Sequence, residues 1–541
     1  MGKTKKAYKC HHIFTGTSRE LIDGYLLIEE NTIKDIGNTA DIKDSLKGYE
    51  IIDEYKDNFL MPGFFDFHVH VGAAAVLERD GILRYATSEE DAVDKLWSIH
   101  KERKKPRWIL GGAWDNILWN NPGMPNKKSL DKYFKDVPVF LMNKECHGAW
   151  GNSKLFEMFN ITKFTPDPPN GQYFRDENGE PTGYIHEAAC SDIIKRIYAM
   201  ITDEEIIEYI KPFIKMANKK GITSMGDVAG VTPIRENAYK IMEKNGQLNC
   251  RIRFYKEIEE GVESALERKK EYCSQILSFG GVKGFIDGTP QGYTGYMAED
   301  YSDKTGERGK GLIEPSELND MVKAYDKAGI SVRIHACGDQ GVCTCLDAME
   351  YAKKENGGLH ARHSVEHIEV ILPEDIQRFS KICVIASVQP EHMPKYDFYG
   401  HPFHNILGEK RMNYAWPFGS ILKYGGKLAF GTDCPVSDIS PCRGIFRAVT
   451  RQTNEGQPKG GWNPKEKVTV QEALKAYTIG SAYAADMDGL IGTLEKNKLA
   501  DFIVLEKNII EKSEDIEEMF KMKTLLTVVD GEVVYDYNDK E

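Results

Sequence analysis

The segment Asp66-Phe67-His68-Val69-His70, led in by Met61-Pro62-Gly63, is the stretch best equipped for chemistry. On a β-strand, side chains two apart share a face, their Cβ atoms about 7 Å apart. His68 and His70 therefore point the same way, and two imidazoles at that spacing can hold one cation from adjacent corners. Alone, such a pair could equally be two ordinary histidines on a surface strand. Three more polar residues change that reading. His335 ends Val332-Arg333-Ile334-His335, His367 ends Ser364-Val365-Glu366-His367, and Asp433 follows Ala429-Phe430-Gly431-Thr432. A lone His after an apolar strand is commonly a hydrogen-bonded structural residue. Four His and one Asp at four strand ends call for one explanation, a pocket on which those ends converge.

Lys283 is a further candidate, inside the apolar run Gly281-Val282-Lys283-Gly284-Phe285-Ile286-Asp287-Gly288. A Lys there is costly unless paired or neutralised. It is either a snorkelling side chain at a strand edge or a carbamylated Lys whose new carboxylate bridges two metals.

Eight strand-like runs can position these groups: Phe64–His70, Ile222–Asp227, Arg251–Tyr255, Val282–Asp287, Ser331–His335, His363–His367, Cys383–Gln389 and Leu428–Thr432. Most begin about 20 to 50 residues after the previous one, the repeat of βα units. Eight units predict an α/β protein with a (β/α)8 TIM-like barrel over residues 61–486. A doubly wound sheet usually has fewer strands and a nucleotide fingerprint, and neither G-x-G-x-x-G nor a Walker sequence occurs. About 150 residues separate His70 from Ile222, too many for one connection. Residues 85–205 are therefore read as a large insertion after the first barrel strand, a substrate-pocket subdomain rich in Trp, Asn, Gly and Pro. Short β-rich runs at residues 1–60 and 487–541 predict a small β-sandwich built from both ends of the chain, since neither could bury a core alone.

Bulk properties narrow the class. The 541 residues imply more than one domain. Hydrophobic residues make up 41% and charged residues 28%, a globular balance. A net charge of −12 with scattered Lys and Arg argues against nucleic acid or anionic membrane as partner. No apolar run reaches the roughly 18 residues of a membrane helix. No secretory h-region follows Met1, and Lys6 breaks the myristoylation pattern begun at Gly2. The 11 cysteines are odd in number and irregularly spaced, with Cys343 and Cys345 the only close pair. Free thiols in a reducing cytoplasm are the simpler reading.

On these motifs the chain resembles the amidohydrolase superfamily, in particular the amidohydrolase-3 branch that includes N-substituted formamide deformylases. The resemblance is carried by Met61 to His70, Val282 to Gly288, His335-Ala336-Cys337-Gly338-Asp339, Glu366-His367, Ser387-Val388-Gln389-Pro390 and Gly431 to Val436. The insertion adds His147-Gly148-Ala149-Trp150-Gly151-Asn152-Ser153 and Pro181 to Glu187, and the tail Ile491 to Glu495 and Leu499 to Phe502. Two positions depart from the branch: Glu145 stands where Asp is more usual, and Gln340 where Arg is.

The resemblance implies that His68 and His70 bind one divalent metal, His335 and His367 a second, and carbamylated Lys283 bridges them. Asp433 would ligate the first and accept the proton of the attacking water. Zinc suits such ligands, with iron, manganese and cobalt as alternatives. A cation can lower the pKa of bound water from about 16 toward about 7. Glu187 is the rival bridge, though it precedes the second barrel strand. A third option is a mononuclear site with unmodified Lys283, as in deaminase-like relatives.

The expected substrate is a small amide, formamide or cyclic amide, cleaved at a non-peptide C–N bond. The alternatives are deamination of a ring amidine by one metal, and a non-catalytic scaffold. Filled ligand positions argue against the scaffold. Candidate substrate contacts are Trp114, Asp115, His147, Trp150 and Glu187 from the insertion, Tyr293 after the Lys283 strand, and Gln389 and His392 after the seventh strand. Each aromatic could instead be packing. The polar loop Ala298 to Gly311 is expected to be a mobile lid. A homodimer is the assembly considered, dimers being common among soluble enzymes.

Overall fold

A computed structural model describes residues 5–102, 106–116, 119–121, 123–144, 147–230, 232–397 and 399–539. Its centre is a ring of eight parallel strands paired in chain order. They are Phe64–Val69, Ile222–Val228, Arg251–Glu257, Leu277–Phe285, Ser331–Ala336, Ser364–His367, Ile385–Val388 and Lys427–Phe430. The first and last are joined beyond the eighth strand's end. Asp433 N donates to His68 O at 2.7 Å, and His70 N donates to Cys434 O at 2.9 Å. This nearly closed barrel thus zips together where the His-x-His pair and Asp433 meet.

Two strand starts shift by more than one residue from the sequence reading, each for a local reason. The fourth starts at Leu277, five residues early, because Gly280 and Gly281 mask the pattern. Gly281 has φ +143°, and a Cβ there would lie 2.1 Å from Ser331 O, so the approach of the fifth strand requires glycine. The seventh starts at Ile385 rather than Cys383, which sits at φ +63° and ends the helix Arg378–Ile382.

Amphipathic helices cover the ring. Asp203–Lys219 starts in a capping box between Thr202 and Glu205 and turns Ile206, Ile210, Phe213 and Ile214 inward. Pro315–Lys327 and Asp339–Glu355 pack side by side after the fourth and fifth strands.

The long connection between the first two barrel strands carries its own five-stranded sheet. Its order is Gly171–Arg175, Pro181–Glu187, Gly148–Gly151, Val139–Asn143 and Ile109–Trp114. A core of Leu96, Trp114, Trp119, Phe134, Trp150 and Tyr184 supports it.

The two ends of the chain share a third sheet. Phe502–Leu505 pairs with Phe59–Pro62, which leads directly into the first barrel strand. Tyr8 from one end packs edge-on against Phe502 from the other, ring centroids 4.9 Å apart. Arg251 ties this sheet to the barrel floor, lying 2.5 Å from Asp501 and 2.9 Å from Asp530. The ten described cysteines are free thiols. No helix among the described residues is long and apolar enough to cross a membrane.

Candidate metal centre

Asp433 is the hub of the barrel's C-terminal rim. Its Oδ1 lies 3.1 Å from His70 Nε2 and 3.4 Å from His68 Nε2. Its Oδ2 lies 3.4 Å from His392 Nε2 and 3.9 Å from His367 Nδ1. Donor atoms of His68, His70 and Asp433 fall within 4.8 Å of one another, as do those of His367, His392 and Asp433. Asp433 and His367 both adopt left-handed backbone, φ +56° and +73°. Such conformations in non-glycine residues cluster where surrounding structure fixes a side chain's aim.

Each ring is held from behind. His68 Nδ1 lies 2.5 Å from Glu366 Oε2, and His70 Nδ1 lies 3.0 Å from Val228 O. His367 Nδ1 lies 2.8 Å from Gln389 Oε1, and His392 Nδ1 lies 3.4 Å from Glu369 Oε1. For His68, His70 and His367 the acceptor on Nδ1 favours the ring proton there and leaves the Nε2 lone pair for a cation. Glu366 is itself fully engaged: Arg333, Ser364 and Ser387 all donate to it.

Burial sets the protonation states. It lowers His68 to about 4 and His335 to about 3, and it takes His367 well below the usual imidazole range. Burial would raise Asp433, but His68, His392 and His70 hold its carboxyl well below the ordinary value. His392 is the exception. Burial opposes its charge, yet Asp433 and Glu369 on either side raise it to about 9. Burial lowers Lys283 to about 8.

Whether these residues fit a metal is decided by their unmet polar atoms. Lys283 Nζ, Asp433 Oδ1 and His392 Nε2 are buried and make no hydrogen bond. Unsatisfied buried donors and acceptors are costly and point to a missing ion or group. The neutral imidazoles of His68 and His367 beside the ionised Asp433 carboxylate supply N and O donors that a divalent metal takes, so the set fits.

Not every candidate joins this group. His335 lies edge-on to His367, centroids 4.4 Å apart, and falls outside both donor groups; its Nε2 is held 3.2 Å from Gly288 O, which leaves Nδ1 as the nitrogen open to a ligand. His392, read as a substrate contact, stands among the metal-capable donors, and Gln389 is the partner of His367. Trp114 and Trp150 are corrected: both are fully buried in the insertion's core. Trp114 Nε1 donates to Leu141 O at 2.8 Å and Trp150 Nε1 to Asn126 O at 3.0 Å, so neither indole faces a pocket. Asp115 pairs with Lys144 at 3.2 Å. His147 and Glu187, both about half exposed, pair at 3.1 Å. Tyr293 donates to Asp303 at 2.9 Å, with Lys304 Nζ 3.9 Å from its ring centroid. Glu145 lies outside the described residues.

The loop Ala298 to Gly311 makes hydrogen bonds to the helix Phe403–Met412 and within itself. Arg411 donates to Glu299 O at 3.1 Å, Asp300 O at 2.7 Å and Ser302 Oγ at 3.0 Å, and buried Tyr301 donates to Gly295 O at 2.6 Å. Sequence reasoning missed Arg333 and Glu369 as working parts. The signal was present: a charged residue within an apolar strand or at its end is costly unless paired.

A nearly closed α/β-barrel with imidazoles and a carboxylate at its strand ends is the build of a metal-dependent hydrolase. The chain belongs to the amidohydrolase family: residues 55–535 match the sequence profile Amidohydro_3, Amidohydrolase family. It is 28% identical to the Protein LONG AFTER FAR-RED 3 of Arabidopsis thaliana over 535 residues, 97% of this chain and 90% of that protein. It is 25% identical to the N-substituted formamide deformylase of Arthrobacter pascens, covering 94% of each. Among solved structures, an uncharacterized metal-dependent hydrolase from Pyrococcus horikoshii OT3 superposes with a TM-score of 0.78 at 26% identity, covering 94% of this chain and 99% of that one.

Proposed function

We propose that the protein hydrolyses a non-peptide C–N bond in a small amide, formamide or cyclic amide, using one or two divalent ions, zinc first among them. The observation that carries this is the meeting of His68, His70 and Asp433 donors within 4.8 Å at the barrel rim. The likeness to a formamide deformylase along nearly the whole chain supports the substrate class.

In this reading His68, His70 and Asp433 hold one ion, and His367, with His335 nearby, serves a second. A bound divalent cation supplies Lewis acidity toward the carbonyl oxygen and acidifies water to near neutrality. Asp433 Oδ2 accepts the proton released as water attacks the carbonyl carbon. It then gives that proton to the leaving nitrogen as the C–N bond breaks. Burial favours the neutral Lys283 amine, the form that can add carbon dioxide, with loss of one proton, to become a carbamate ligand. Glu366, through His68, and Gln389, through His367, keep the imidazoles aimed.

The test is a hydrolysis screen over formamides, N-acylated amines and cyclic amides, with metal-depleted protein as control. Formate or carboxylate release that needs metal is the expected result. Ammonia release without either acid would indicate ring-amidine deamination. A purified chain with neither metal nor turnover would overturn the reading.

A further inference from the structure

We infer that Phe285 selects the substrate: its ring is the apolar wall on which an aromatic substituent of the cleaved amide lies. This rests on the hydrolysis proposed above and deepens it, from a type of bond to a class of substrate.

Strand register puts Phe285 on the inner face of the barrel. Lys283 pairs with Arg333 and Phe285 with His335 in the parallel fourth and fifth strands, and residues in register share a face. Arg333 points inward, where it meets Glu366 and the Phe67 ring. Lys283 and Phe285 therefore point inward too, Phe285 one step nearer the rim. The Phe285 and His335 rings lie 5.2 Å apart, tilted by 33°, and Lys283 Nζ lies 5.1 Å from the Phe285 centroid. His335 meets His367 in turn, centroids 4.4 Å apart. A run of adjoining rings thus leads from the metal-capable donors to Phe285.

Phe285 is the exposed end of a buried strand. The eight residues before it, Leu277 to Gly284, are all buried, yet Phe285 is 36% exposed. As the last inward side chain of its strand, it opens to the mouth of the barrel, where this architecture receives substrate. Its neighbours Lys283 and His335 are polar, so the ring supplies the apolar surface of the trio. Covering such surface is favourable, and a second aromatic ring gains more than its area alone would give.

The aromatics of the insertion do not compete for this role. Trp114 and Trp150 are sealed in its core, both indole N–H groups donating to backbone carbonyls. An apolar substituent on a substrate held at the donors around Asp433 extends along His367 and His335 and meets Phe285.

The test uses the full chain loaded with Zn2+ and two matched substrates, N-(2-phenylethyl)formamide and N-(2-cyclohexylethyl)formamide. The readout is the ratio of their kcat/KM values, with metal content and thermal melts recorded for every variant. The wild type should favour the phenyl compound. Phe285→Leu should lower that ratio about 2- to 10-fold, the worth of one aromatic pair, chiefly through KM. Phe285→Tyr keeps the ring and should keep the ratio. Phe285→Met carries the test if Phe285→Leu fails to fold. An unchanged ratio in the leucine or methionine variant overturns the inference. So does a variant that loses metal while its ratio holds, since Phe285 would then only pack against Lys283 and His335. A wild type that cleaves neither compound nor any other amide would sink the proposed hydrolysis instead. Calorimetric binding of the same two compounds to wild type and Phe285→Leu would then decide the wall, and equal affinity ratios would overturn it.

Discussion

Arg333 and Glu366 form a two-pronged ion pair inside the barrel, both contacts 2.9 Å and neither side chain exposed. Arg333 is sandwiched between Phe67 and Tyr255, its guanidinium carbon 3.8 and 4.4 Å from the ring centroids, and it donates to Phe67 O. The pair fixes the carboxylate on which His68 hangs. Structural support and metal affinity therefore meet in one residue.

Glu366→Gln should show both consequences. It keeps the side chain's volume but leaves the buried guanidinium without its counter-charge. Breaking one half of a buried pair costs about 3–5 kcal/mol, and the amide replacement, which still accepts some bonds, should fall at or below that range. Losing the carboxylate behind a ligand His should also cost about 10- to 100-fold in metal affinity. Denaturant unfolding of the metal-free protein reads the first, and metal titration the second. Unchanged values in both would mean that the pair neither stabilises the barrel nor aims His68.

Asp433→Asn should retain the fold and lose about 10²–10⁴-fold in kcat, the usual worth of a placed general acid–base. The amide cannot accept the proton of the attacking water. It also removes the charge shared by His68, His70 and His392, so metal should be bound more weakly. Steady-state rates at saturating metal separate the two effects. A variant rescued fully by excess metal would make Asp433 a ligand alone.

Lys283 should respond to carbon dioxide. Its amine is buried, lowered to about 8 and without a hydrogen bond, the state in which a neutral amine can add CO2. Protein kept free of bicarbonate should lose activity and regain it when bicarbonate and metal are returned together. Lys283→Ala should lack that response. Equal activity with and without bicarbonate, and no carbamate signal in the 13C spectrum of labelled protein, would leave Lys283 an unmodified amine.

The barrel was legible because its strands repeat at βα spacing and carry polar residues where apolar runs end. His68, His70, His367 and Asp433 were visible for the same reason, and the structure gathers their donors around one carboxylate. The placement of His392 was not legible. It sits in the short turn Pro390–His392, beyond the seventh strand, where no periodicity applies. Glu369 was hidden by the left-handed residues before it, since alternation along a strand cannot foresee a φ of +73° at His367. Trp114 and Trp150 misled because an aromatic-rich insertion reads alike whether its indoles face a ligand or one another.

Trp114→Ala should therefore act on stability rather than on substrate. The indole is packed among Trp119, Trp150 and Tyr184, centroids 5.7, 6.5 and 6.1 Å away. Truncating a buried Trp to Ala costs about 3–5 kcal/mol. The melting temperature should fall, while KM per folded enzyme stays near the wild-type value. A large KM change with an unaltered melt would return Trp114 to the binding site.

The pH dependence of stability should carry the mark of Asp326. Its carboxylate receives His363 at 2.9 Å, Asn356 at 2.8 Å and the His360 amide at 2.8 Å. Burial alone would raise its pKa, but His363 and Asn356 outweigh burial and bring it to about 2, below the ordinary 3.8. Because the folded value is the lower one, the unfolded chain takes up this proton first as pH falls. The stabilisation is complete above about pH 4, shrinks between about 4 and 2, and is absent below. A shift of this size is worth about 1–2 kcal/mol once partial solvent screening is allowed for. Urea unfolding of wild type and Asp326→Asn at pH 6 and pH 3 measures it. The variant should be less stable at pH 6, and the gap should narrow at pH 3. A gap that stays constant or widens on acidification would show that the Asp326 charge contributes nothing to the fold.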